Sequence, residues 1–175
     1  MNTATRIFAS VALAALVTSP SSAHAAPALR AVSNATPGTI IADSSHVSAV
    51  LSTADALAAS GRVSEAIRSL RTLVAEQHKS GEYAGGTLRR LADLQYGAGD
   101  AFQAAHTLDQ LADEAGIFGD PTMKLRALFD AALVYQELKL FDRVPERTRQ
   151  IATLLKSPMI SETVRSDIAA RMHHE

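Results

Sequence analysis

GGTLRRLADLQYGAGDAFQAAHTLDQLA, residues 85–112, sets alanines and leucines at helical intervals on both sides of a Gly97-Ala98-Gly99-Asp100 break. Gly99 can adopt the left-handed backbone that ends a helix, and Asp100 starts the next one. The stretch therefore reads as a helical hairpin. It lies without gaps over VSAVLSTADALAASGRVSEAIRSLRTLV (47–74) and over LRALFDAALVYQELKLFDRVPERTRQIA (125–152). In this overlay Ala54, Ala92 and Ala132 coincide in the first helices. Ala66, Ala104 and Val144 coincide in the second helices, followed by Leu73, Leu111 and Ile151. Small residues at one matched place let helix backbones approach, and the large aliphatics fill the space beside them. An internal repeat of hairpins is the simplest account.

Outward from the repeat, no stretch after Ser44 alternates apolar and polar residues as a half-buried strand would, whereas helical spacing recurs throughout. The pattern predicts an all-α domain over 44–175 with seven helices, at about 45–60, 63–79, 83–97, 100–115, 121–138, 142–156 and 159–173. Asp120-Pro121 and Ser157-Pro158 each place a capping oxygen before a proline at the first helical position. Pro145 falls in the first turn of its helix, where a missing N–H does no harm.

These units resemble the tetratricopeptide repeat family of helix-turn-helix modules. In the third unit Leu128, Ala132, Tyr135, Leu138, Phe141 and Val144 match the spacing of that family's bulky, small, aromatic, aliphatic, aromatic and small signature places. The second unit matches through Leu88, Leu91, Ala92, Gly99 and Ala104, and the first through Val50, Ala54, Leu57, Gly61, Val63 and Ala66. The units are spaced by 38 and 40 residues, against a family period of about 34. The first also lacks large aromatics. The resemblance covers residues 45–156 and implies a short right-handed α-α superhelix of three hairpins, closed by a C-terminal capping helix.

The two ends of the array differ. Helix 159–173 spaces Ile160, Val164, Ile168 and Met172 by four, with Glu162, Arg165, Asp167 and Arg171 elsewhere, which suits a cap. Helix 45–60 carries a single formal charge, Asp55. Its Ala, Ser, Val and Leu surface has two readings: Ser48, Ser52 and Thr53 supply sufficient polarity or the linker folds back over it, or the helix is an edge for self-association or a partner.

Ahead of the repeats, MNTATRIFASVALAALVTSPSSAHA (1–25) has the form of a secretory signal peptide: Arg6, an apolar run from Ile7 to Val17, Pro20, then Ala23-His24-Ala25. The apolar run is too short for a spanning helix of about 20 residues. Cleavage after Ala25 would leave 150 residues, with no integral membrane segment and a periplasmic or secreted address. Residues 26–43 read as a flexible linker, with two prolines and a Thr-Pro-Gly turn. Asn34-Ala35-Thr36 fits a glycosylation sequon, for which chance is the better explanation.

Without Arg6 there are 16 Lys and Arg against 18 Asp and Glu, a net charge of −2 that gives no reason to expect nucleic acid or an acidic membrane as partner. The chain has no Cys, which excludes disulfides, a thiol nucleophile and thiolate metal ligands. YGAGDAF (96–102) lacks the strand, the third Gly and the Lys-Ser/Thr ending of a phosphate loop. His106 and Asp109 stand three apart on one helix without a third ligand, and the Asp109/Asp113 pair suits a solvated face. No nucleophile elbow is present, and the sequence points to no catalytic residue, cofactor or metal.

In the family that the chain resembles, ligands usually lie in a concave groove lined by the first helix of each pair. By matched place the resemblance implies Arg89, Asp93 and Tyr96 from the second unit, and Arg126, Phe129, Leu133 and Gln136 from the third. Two arginines beside aromatic and aliphatic contacts would suit an extended peptide with an acidic group or free C-terminus. Equally, Phe129 and Leu133 could be core, with the arginines only solvating the outside. The function to test is a non-enzymatic adaptor that binds a protein or peptide, as part of a bacterial envelope assembly. A small exported hydrolase of cell-wall or glycan material is the alternative; two facing carboxylates in a deep pocket would favour it.

Overall fold

The computed structural model describes residues 44–172. The signal peptide and linker expected over 1–43, and the terminal His173 and His174, lie outside the described residues. Among the described residues seven α-helices follow one another: α1 (Ser44–Ala59), α2 (Val63–Ser80), α3 (Gly85–Gly97), α4 (Ala101–Ile117), α5 (Pro121–Glu137), α6 (Val144–Leu155) and α7 (Glu162–Met172). A 3-10 turn, Phe141–Arg143, leads into α6. Pairing follows chain order: α1 packs on α2, α3 on α4 and α5 on α6, while α2 meets α3 and α4 meets α5. The result is an all-α fold of paired helices arranged as stacked hairpins.

The backbone itself carries the repeat. Gly61, Gly99 and Lys139, which share one place in the overlay, all have positive φ. At each, the left-handed residue's N–H donates to a carbonyl three residues back and the next N–H to one five back: Gly61 to Ala58 and Arg62 to Leu57, Gly99 to Tyr96 and Asp100 to Gln95, Lys139 to Gln136 and Leu140 to Tyr135. These paired bonds are the Schellman closure, which satisfies the last carbonyls of a helix and turns the chain back. Gly81 and Gly119, 38 residues apart, also have positive φ, and the following N–H groups of Glu82 and Asp120 reach Gln77 and Ala115 in the same way.

Each seam is filled by residues that the overlay aligns. Leu70, Leu88, Leu108, Leu111 and Leu125 are all essentially inaccessible, and Ala54, Ala66, Ala92, Ala104 and Ala105 let the helices approach. Two hydrogen bonds between buried polar side chains tie neighbouring helices: Thr87 Oγ1 donates to Gln77 Oε1 at 2.8 Å, and Thr107 Oγ1 to Gln95 Oε1 at 2.7 Å. Glu114, buried on α4, accepts the Ala84 backbone N–H at 2.6 Å and stands 2.9 Å from His78 Nε2. One carboxylate thus fastens the junction between the first two hairpins to the second helix of the next.

Of the two expected capped starts, one holds and one moves. Asp120 caps α5 as the sequence suggests, its carboxylate accepting from Met123 N at 2.9 Å with Pro121 in the first turn. Ser157-Pro158 does not start a helix. Ser157 Oγ accepts from Met159 N, two residues on, which is a local turn that competes with a cap. The chain then buries Ile160 and starts α7 only after Ser161, whose Oγ accepts from Val164 N at 3.4 Å.

Candidate functional site

Helical spacing places Arg89, Asp93 and Tyr96 together on α3, and Arg126, Phe129, Leu133 and Gln136 together on α5. Polar contacts join the first helices in series. Arg90 Nε donates to Asp55 Oδ1 of α1 at 2.6 Å, Arg89 Nη1 to Asp130 Oδ2 of α5 at 2.5 Å, and Tyr96 Oη to Glu137 Oε2 of α5 at 2.6 Å. Arg171 of α7 completes the row, its Nη2 reaching Asp130 Oδ1 at 2.5 Å.

Asp130 is the centre of this surface. It is 2% exposed, and its two oxygens are shared between guanidinium groups from α3 and α7. A carboxylate so far from water is tolerable only with such partners. Arg171 also lies over the Phe129 ring, 4.6 Å from its centroid, a cation–π arrangement. Phe129 is therefore buried beneath α7, and Leu133 is partly buried against the same core.

Arg89 is held twice, by Asp130 and by Asp93, whose Oδ1 lies 3.3 Å from Nε. Burial pulls the guanidinium pKa down, and the carboxylates of Asp130 and Asp93 outweigh it, leaving Arg89 above its ordinary value. Asp93 moves the other way for a carboxylate, upward, because burial outweighs the attraction of Arg89. Burial and then the bond to Glu137 push the Tyr96 phenol up to about 12, so it remains a hydrogen-bond donor at neutral pH. Arg126 and Gln136 are exposed. Of the two arginines, Arg89 has its charge committed within the molecule and Arg126 projects to solvent.

A second polar cluster lies on the other row. Arg147 of α6 grips Asp109 of α4 through both Nε and Nη2, and Tyr135 Oη donates to Asp109 Oδ2 at 2.8 Å. The guanidinium lies 4.3 Å from the Tyr135 ring centroid. A hollow of about 340 Å³ beside it is lined by Phe102, His106, Asp109, Gln110, Asp113 and Tyr135. The pair His106 and Asp109 thus shares a wall, with Asp109 committed to Arg147 and Tyr135. Among the described residues no group of three or more His, Asp or Glu is placed to hold a metal ion. Nor is any helix there long and apolar enough to cross a membrane.

Sequence reasoning missed Arg90, Asp130 and Glu137, and took Arg171 only as a polar residue of the cap. Asp130 left a signal, a lone charge inside the apolar run ALFDAALV, but its partners stand 41 residues away on either side. No protein-family model matches the chain, and no curated protein or solved structure matches it either.

Proposed function

We propose that this chain is an exported, non-enzymatic adaptor of the tetratricopeptide type, a short right-handed superhelix whose concave side binds a protein or an extended peptide. The carrying observation is the series of contacts Asp55–Arg90, Arg89–Asp130 and Tyr96–Glu137, which links α1, α3 and α5 into one polar wall. A wall fixed by side chains from consecutive helices is preorganised, and a ligand laid across it loses little to ordering the protein. The proposed address is the bacterial periplasm or the exterior, after removal of residues 1–25.

Arg126 and Gln136 are the ligand-facing groups in this reading, with Leu133 and the Tyr96 ring as apolar contact. Arg89 and Asp93 act as positioning residues. An acidic group or free C-terminus on the peptide is the chemistry that Arg126 recognises. The test is selection from a randomised peptide library on the immobilised chain from Ala26, followed by calorimetry with the selected peptide. Arg126→Ala is expected to weaken binding at least tenfold with an unchanged melting point. Absence of an enriched sequence, or affinity within about twofold for that variant, would overturn the groove reading.

A further inference from the structure

The hairpin register leaves, at the two ends of the array, slots exposed whose counterparts inside it are buried. Within the array, the first helix of each unit covers the second helix of the unit before it, as α3 covers α2 and α5 covers α4. Thr87 marks which side of a first helix does this, because it is bonded to Gln77 of the preceding α2. The slots of Thr87, Leu91 and Leu94 in α3 are those of Ala127, Ala131 and Val134 in α5, and all six residues are buried. In α1 the same slots hold Ala49, Thr53 and Ala56, and all three are exposed.

The opposite edge mirrors this. Ala105, Leu108 and Ala112 of α4 are buried, yet their counterparts Pro145, Thr148 and Ala152 of α6 are exposed. With Phe141, which is 62% exposed, and Val144 they line a shallow hollow of about 600 Å³. Helix α7 packs against α5 and is tied to the far end of α6, where Arg165 donates to the carbonyls of Leu155 and Ser157. The N-terminal part of α6 is left bare.

We propose that the occupant of this hollow is α1 of a second copy of the chain, so that copies join head to tail with α6 of one against α1 of the next. Register selects this partner. The α1 face is small and nearly uncharged at the slots that bury against a preceding second helix, and the α6 edge supplies the bulk, Phe141 and Pro145, that such a face accommodates. Charge does not oppose the contact: Arg149 at the hollow is paired with Glu146, and Asp55, the only formally charged side chain on α1, is paired with Arg90. The two surfaces differ, so the contact is heterologous and leaves an open edge at each end of a dimer. It covers only a few helical turns, which places it among the small, transient interfaces. Gln136, a ligand-facing group of the proposed groove, also borders this hollow, and the edge variants below leave it and Arg126 unchanged, so peptide binding and self-association fail separately.

Sedimentation equilibrium of the chain from Ala26, with two variants at exposed places, tests it. Ala49→Arg blocks the α1 edge and Ala152→Arg the α6 edge. Wild type is expected to gain mass with concentration, each variant alone to stay monomeric, and an equimolar mixture of the two to form dimers and nothing larger. Helical content and melting point are followed in parallel, and Thr53→Arg and Thr148→Arg replace any variant that fails to fold. A wild type that remains monomeric to about 1 mM would overturn the proposal, as would variants that associate like wild type or a mixture that stays monomeric.

Discussion

Helices α4 and α6 stand at the same place in consecutive repeats and meet different fates. Eight residues of α4 are buried, from Ala104 to Ala115, whereas α6 buries only Ile151. The difference comes from neighbours: α4 has α3 on one side and α5 on the other, while α6 has α5 and little besides. A repeat slot therefore specifies a direction, and only the adjoining unit makes that direction interior. The residues follow suit. Where α4 has Ala105, Leu108 and Ala112, α6 has Pro145, Thr148 and Ala152, so two of the three slots differ, and both change to a residue that water tolerates or that starts a helix.

The sharpest way to break this comparison is to cut the matching slot back to alanine in both helices. Leu108→Ala, at 1% exposure, is expected to cost about 4 kcal/mol because the rigid seam cannot collapse around the cavity. Thr148→Ala in the matching slot of the monomer is expected to change stability by less than about 0.5 kcal/mol. Urea unfolding at low protein concentration measures both; similar losses would mean that α6 is as enclosed as α4.

Next in size is the tie between the last hairpin and α7. Asp130→Ala removes the shared partner of Arg89 and Arg171 and is expected to cost about 3 kcal/mol. Arg171→Ala should cost less, since Arg89 still neutralises Asp130. Thermal melting of the two variants orders them, and equal losses would show that α7 alone keeps Asp130 dry.

The smallest effect lies in the turns, where the units differ by a single choice of residue. A Cβ at Gly99 would meet nothing within 4 Å, so Gly99→Ala tests backbone strain alone and is expected to destabilise by about 1 kcal/mol. Lys139 already bears that strain at φ 59°, and Lys139→Gly is expected to stabilise by about 0.5–1 kcal/mol. Opposite signs from the same chemical difference would establish the shared register in solution; equal signs would separate the third turn from the first two.

Local chemistry made much of this fold legible in the sequence. Positive-φ glycines at Gly61 and Gly99, the Asp100 and Asp120 caps and the apolar slots of the overlay each act within a few residues, so the hairpins could be read before any packing was known. Lys139 took its left-handed turn by position in the repeat, although its residue type gives no hint of one. The candidate surface was less legible. Spacing grouped Arg89, Asp93 and Tyr96 on one helix and Arg126, Phe129, Leu133 and Gln136 on another, but a helix period cannot tell which partner approaches from outside. Tertiary structure decided that Arg89 is committed to Asp130, that Phe129 lies under Arg171, and that the bare side of α6 stays open. Those outcomes depend on charges and helices some 40 residues apart in the chain, brought together by the stacking of units, and no local pattern encodes a distance of that kind.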